Sequence, residues 1–130
     1  MQECPPGRNT MIDHVVLNVK DLETSRAFYL RSLAPLGYEI VKEYPEGIGF
    51  GVQGKPDFWI TSRKPAYSGV HVAFTAPNQE TVQQFHQAAL AAGGTDNGAP
   101  GLRPDYHPGY YGGFVLDPDG NNIEAVFVQL

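Results

Sequence analysis

From residue 14 the chain alternates between unlike side chains. Val15, Leu17 and Val19 fall on one beat, and His14, Val16 and Asn18 on the other. The same beat returns when Val70, Val72 and Phe74 alternate with His71, Ala73 and Thr75. Period-two patterning describes a pleated strand with two distinct faces. In both segments the more apolar face is the one suited to carry a helix, which turns His14 and His71 to the opposite face. After each strand the period lengthens: Val82, Phe85 and Ala89 recur at helical spacing. Asp21 and Asn78 are placed to cap the two helices by accepting from free backbone N–H groups. Gly37 and the Gly93-Gly94 pair are placed to end them in a left-handed conformation.

The two segments are copies of one unit. "DHVVLNVKDLETSRAFYLRSLAPLG" from Asp13 aligns with "VHVAFTAPNQETVQQFHQAALAAGG" from Val70, with His14 matching His71 at an offset of 57 residues. Glu23-Thr24 matches Glu80-Thr81, Phe28 matches Phe85, Leu33 matches Leu90 and Gly37 matches Gly94. Such internal repetition marks a duplicated structural unit. Strands are expected at Tyr38–Tyr44, Ile48–Val52 and Phe58–Thr61 in the first copy. The second copy predicts a weak strand near Thr95–Ala99, a loop from Pro100 to Tyr110, and two clear strands, Gly113–Leu116 and Asn122–Val128. Asp117-Pro118-Asp119-Gly120 between the last two is a strong turn signal. The plan is βαβββ twice, an α+β chain divided into modules 11–64 and 69–130 with no linker between them. Residues 1–10 read as a poorly ordered lead-in.

Composition narrows the function classes. With 130 residues, 42% of them hydrophobic, the chain suits one compact unit or two small halves sharing a core. The net charge is −5, and the Lys and Arg residues are scattered singly, which argues against nucleic acid. The single cysteine, Cys4, leaves no internal disulfide, and no segment approaches the length of a membrane span. A reducing, cytoplasmic setting is expected, with Cys4 a bystander thiol.

Chemistry concentrates on one strand face. His14 and His71 hold equivalent positions, and two such halves related by a pseudo-twofold axis bring them together. Glu124 lies mid-strand on the last predicted strand, where a carboxylate is unfavourable unless paired or metal-bound. Two imidazoles and a carboxylate suit Zn, Mn, Ni, Co or Fe(II) and leave positions open for substrate. A lone strand histidine is usually structural; two at matching positions with a carboxylate on the closing strand favour one divalent metal. The segment "LRPDYHPGYYGG" is dense in polar-tipped side chains. Arg103, Tyr110 and Tyr111 could hold a substrate at the mouth of the site, or the tyrosines could simply pack on the sheet rim. His107 and Glu124 are the candidate catalytic groups, since an imidazole is the side chain that titrates near neutrality. The segment is expected to be mobile and to close over the site. His86, mid-helix, reads as a surface residue, and Trp59 faces either the site or the helices.

Three stretches, "IDHVVLNVKDLETSRAFY", "GVHVAFTA" and "FVLDPDGNNIEAV", resemble the vicinal-oxygen-chelate superfamily of glyoxalases, bleomycin-resistance proteins and dioxygenases. The resemblance spans Met11 to Phe127. It implies a single glyoxalase-like domain over 11–130, in which paired βαβββ modules form a cupped, mostly antiparallel eight-stranded sheet around a metal, with helices outside. Its ligand positions fall on the first and last strand of each module: His14, His71, Glu124 and a residue of Phe58–Thr61. Glyoxalase I has a carboxylate at that last position, whereas Trp59 is the best match here, which leaves a two-His-one-carboxylate set. A substrate-binding role for Trp59 follows if it faces the cup. The implied activity is metal-dependent lyase, isomerase or dioxygenase chemistry on a small oxygenated substrate, in a homodimer. The alternative is a metal-free, bleomycin-resistance-like binding protein. The resemblance admits pairing of the modules either within a chain or across a dimer.

Overall fold

The computed structural model describes residues 12–129. Cys4, the lead-in and the expected module start at Met11 lie outside the described residues. The elements run β1 (Val15–Asn18), α1 (Leu22–Ser32), β2 (Glu39–Tyr44), β3 (Gly47–Val52), β4 (Lys55–Thr61), β5 (His71–Thr75), α2 (Gln79–Ala91), β6 (Thr95–Leu102), β7 (Tyr110–Leu116) and β8 (Asn122–Val128). This is βαβββ twice. Asp21 accepts from the Thr24 N–H and Asn78 from the Thr81 N–H, so both helices begin where a side-chain oxygen satisfies an orphan donor. A short 3-10 turn at Ala34–Leu36 is appended to α1, and Gly37 at φ +85° ends that turn rather than the helix itself.

The eight strands form two four-stranded sheets with the same order, β1-β4-β3-β2 and β5-β8-β7-β6. In each, the first strand pairs parallel with the last and the other ladders are antiparallel. Strand alternation decides what faces the helices. Leu17, Phe58, Ile60 and Phe74 are buried on that side, as are Val82, Phe85 and Ala89 of α2. Full burial of a side chain such as Phe85 stabilises the fold by roughly 1.5–3 kcal/mol. The halves share one apolar core, with the Phe58 and Phe74 rings 5.2 Å apart across the junction. A polar tie joins them as well. The buried Tyr29 hydroxyl of α1 donates to Asp117 Oδ2 at 2.5 Å, and the Asp117 carboxylate also accepts from the Asp119 and Asn121 N–H groups and from Asn121 Nδ2. Burial and the adjacent Asp117 charge push the Tyr29 hydroxyl well above its ordinary pKa, so it remains a donor.

The second half departs from the sequence reading at β6 and β7. The strand expected to be weak runs to Leu102 and β7 begins at Tyr110, which leaves a turn of residues 103–109 in place of the longer loop. Gly98, Pro100 and Gly101 read as breakers, yet β6 is an edge strand and its register shifts between Asp96 and Gly98 and again before Gly101. An edge tolerates proline because no ladder bond is lost on the outer side, and bulges absorb the glycines. Pro56 is likewise accommodated within β4, since β1 pairs only from Phe58 onward.

Candidate functional site

The ladders fix which residues share the face opposite the helices. In the first sheet Val16 stands opposite Trp59; in the second, Ala73 stands opposite Glu124. Each of these positions lies two residues beyond its histidine, so Trp59 and Glu124 are repeat equivalents. The second face carries the more polar cluster. Glu124 is 1% exposed, with Oε1 2.8 Å from His71 Nε2, while His71 is half exposed. The Tyr110 hydroxyl donates to Oε2. Burial, then the Glu124 carboxylate beside it, hold the Tyr110 hydroxyl far above its ordinary pKa, so it stays protonated and keeps donating. Gly112 keeps β7 thin at this point, because a Cβ there would sit 3.1 Å from Glu124 Oε2. The Arg103 guanidinium lies over the Phe114 ring, 5.3 Å from its centroid, and donates to the Ala99 carbonyl at 2.7 Å.

The first face forms a groove of about 690 Å³ lined by residues of the first module, among them His14, Val16, Tyr44 and Trp59. His14 immediately precedes β1. Its Nδ1 lies 2.9 Å from Asp13 Oδ1, and Lys55 Nζ lies 3.3 Å from the same oxygen. These hydrogen bonds, His14 first, hold the Asp13 carboxyl below the usual range.

Of the predicted metal ligands, the structure brings His71 and Glu124 together and leaves His14 in the groove of the first module. Among the described residues no three His, Cys, Asp or Glu side chains gather as a metal-binding group. Trp59 faces the groove, so the orientation left open by the sequence is resolved. Tyr110 serves as the partner of Glu124. Tyr111 is a correction: β7 alternation turns it to the helix side, where it is buried and its hydroxyl accepts from Gln83 Nε2 at 2.8 Å. His107 lies exposed on the 103–109 turn, with Nδ1 2.6 Å from the Pro108 carbonyl oxygen. His86 is another correction. It is buried, 9% exposed, and its Nε2 lies 3.0 Å from Asp96 Oδ1. Its repeat partner, Tyr29, is fully buried, and that equivalence was the available signal. Tyr44, whose ring lies parallel to Trp59, was missed because β2 reads as an ordinary polar edge.

Comparison with known proteins agrees with this architecture. The family model of the Glyoxalase/Bleomycin resistance protein/Dioxygenase superfamily matches residues 11–125. The chain belongs to that superfamily. It is 32% identical over 127 residues to the uncharacterized Bacillus subtilis (strain 168) protein YqjT, covering 87% of this chain and 95% of that one. Among solved structures it is similar to a glyoxalase/bleomycin resistance protein from Albidiferax ferrireducens T118, with 32% identity, TM-score 0.79, and 91% and 98% of the two chains covered. A lactoylglutathione lyase from Agrobacterium tumefaciens shares the fold at 22% identity and TM-score 0.65, with 95% of each chain covered.

Proposed function

We propose that this protein binds a small oxygenated substrate at a divalent metal held by His71 and Glu124 of one chain and His14 of the partner subunit. The reaction would be of lyase, isomerase or dioxygenase type. The observation that carries the reading is the 2.8 Å approach of His71 Nε2 to Glu124 Oε1 on an open sheet face, with the carboxylate otherwise buried. The donor set fits a metal. His71 nitrogen and Glu124 oxygen converge on one side of the carboxylate while Tyr110 holds the other oxygen, the kind of hydrogen bond that orients a ligating carboxylate. On His14, the Asp13 carboxylate engages Nδ1 and leaves Nε2 as the ligand, the usual support for a ligating imidazole.

A second copy is invoked because His14 belongs to the first sheet and the His71–Glu124 pair to the second, and among the described residues of one chain the three do not gather. Pairing the first-module face of one subunit with the second-module face of another completes two equivalent sites under twofold symmetry. The metal, when bound, would supply Lewis-acid stabilisation to adjacent substrate oxygens. Tyr110 fixes Glu124, Arg103 offers a cation at the rim, and Trp59 walls the first-module half. His107 acts in this reading only when the 103–109 turn closes. Tyr111 supports β7 from behind rather than touching substrate.

A metal-free binding protein is the alternative, favoured by the fact that His71 and Tyr110 already satisfy both oxygens of Glu124. Complementation separates the two. Purified His14→Ala and Glu124→Gln proteins are each titrated with Zn, Mn, Ni, Co and Fe(II), then mixed, exchanged and titrated again. Each variant alone should lose tight binding. The mixture should regain about a quarter of the wild-type sites, because half of the dimers are mixed and each mixed dimer has one intact site. No regain rejects the shared site. A wild type that binds no more tightly than either variant rejects the metal and leaves the binding-protein reading.

A further inference from the structure

The first-module groove carries a flat aromatic surface that metal chemistry does not explain. Trp59 is the chain's single tryptophan. Its neighbours on β4, Phe58 and Ile60, take the core positions, while the indole lies on the open face. A Cβ at Gly49 would come within 2.8–2.9 Å of three indole atoms, so the ring lies directly over the bare backbone of β3. The Tyr44 ring runs nearly parallel, at 12° and 6.2 Å between centroids. Tyr44, and Val16 opposite Trp59 on β1, are 55% and 54% exposed. The rim charges are balanced: Lys55 faces Asp13 at 3.3 Å and Arg63 faces Glu46 at 3.9 Å.

We infer that Trp59 and Tyr44 form a stacking platform for a planar aromatic or conjugated ring of the ligand. The assignment rests on the reading that this sheet face is the ligand side, and it is independent of metal occupancy. Tyr44 is already an offset partner of the indole within the roughly 4.5–7 Å such rings prefer, and its own exposed ring extends the aromatic surface into the groove. A large apolar surface lining a concave groove is the ordinary lining of a small-molecule site. Lys55 and Arg63 each stand beside a carboxylate at the solvent-exposed rim, so the distinctive feature of the groove floor is its flat aromatic surface. Trp59 also takes the repeat position of Glu124, so the two half-sites divide the work, polar contacts on one side and a π-surface on the other.

The test uses full-length protein treated with EDTA, so that a failure of the metal reading cannot be confused with a failure of this one. The probes are 2-naphthol and its saturated analogue decahydro-2-naphthol. One indole N–H resonance reports Trp59 without ambiguity. The 2-naphthol titration should move that resonance by ring-current shielding and saturate. The saturated probe, read by the same resonance, and Trp59→Leu or Tyr44→Leu, read by the fluorescence of 2-naphthol itself, should bind about tenfold more weakly, the scale of one lost aromatic pair. Both substituted side chains lie outside the core, so the variants should keep the wild-type circular dichroism, and two of them guard against one misfolding. Equal affinity for the two probes, an unmoved indole resonance or unchanged affinity in both variants overturns the platform. The metal reading is tested separately by the mixed-variant titration.

Discussion

Glu124 shows how one residue draws its surroundings into a constraint. A carboxylate this buried needs partners, and His71 and Tyr110 provide them from β5 and β7. Removing the hydroxyl by Tyr110→Phe leaves Oε2 without its donor. The expected cost is about 1–3 kcal/mol of stability, the penalty of a stranded buried acceptor. In the metal reading, affinity for the divalent ion should also fall by about 10–100-fold. Thermal melts and metal titration of the same variant check both, and a variant as stable as wild type would show that Glu124 relaxes to another partner. The His71–Glu124 pair was legible in the sequence, because repeat position and strand alternation together aim both side chains to one face. The Tyr110 contact was not, since the sequence shows tyrosines in a polar stretch without saying which of two neighbours faces the carboxylate.

At the scale of elements, α2 and β6 are tied by His86 and Asp96 at a junction that periodicity alone left unresolved. The Gly98 N–H, then His86, hold the Asp96 carboxyl below its ordinary value of 3.8. A carboxyl whose folded pKa is depressed contributes stability that is present above the unfolded value and lost as pH falls through the folded one. Asp96→Asn should therefore be less stable than wild type at neutral pH, and the gap should narrow as pH drops below 3.8. Urea midpoints of both proteins at about pH 6 and about pH 3 measure the difference of differences, free of the general acid effect. A gap that stays constant between the two conditions removes Asp96 as its source. The extent of β6 was obscured for a related reason. Gly98, Pro100 and Gly101 are breakers in a central strand, and only the edge position in the sheet makes them tolerable.

Over the whole molecule the two modules are bound by one core and by the Tyr29–Asp117 tie, and that predicts a single cooperative transition. Trp59 reports the first module alone, whereas far-UV circular dichroism reports both. Their urea curves should superimpose, and an earlier fluorescence midpoint would mean that the modules unfold separately. Among the described residues, no helix is long and apolar enough to cross a membrane. The larger consequence of the arrangement is that the two faces belong to separate four-stranded sheets, which is why a second copy enters the proposed site.

By itself the sequence determined the duplicated βαβββ plan, the caps at Asp21 and Asn78, and the face on which His14, His71 and Glu124 lie. These are local properties, set by period, by short-range hydrogen bonds and by a repeat that states each of them twice. Family membership followed from the same residues. The tertiary structure decided what distance along the chain conceals: that Tyr111 turns to the helices while Tyr110 meets Glu124, that His86 is buried against Asp96, and that Trp59 lies flat over Gly49. It also decided that His71 and Glu124 meet on the second sheet while His14 stands beside the first. Alternation fixes the face of a strand but says nothing of which sheets face one another, because that is set by packing between elements far apart in sequence.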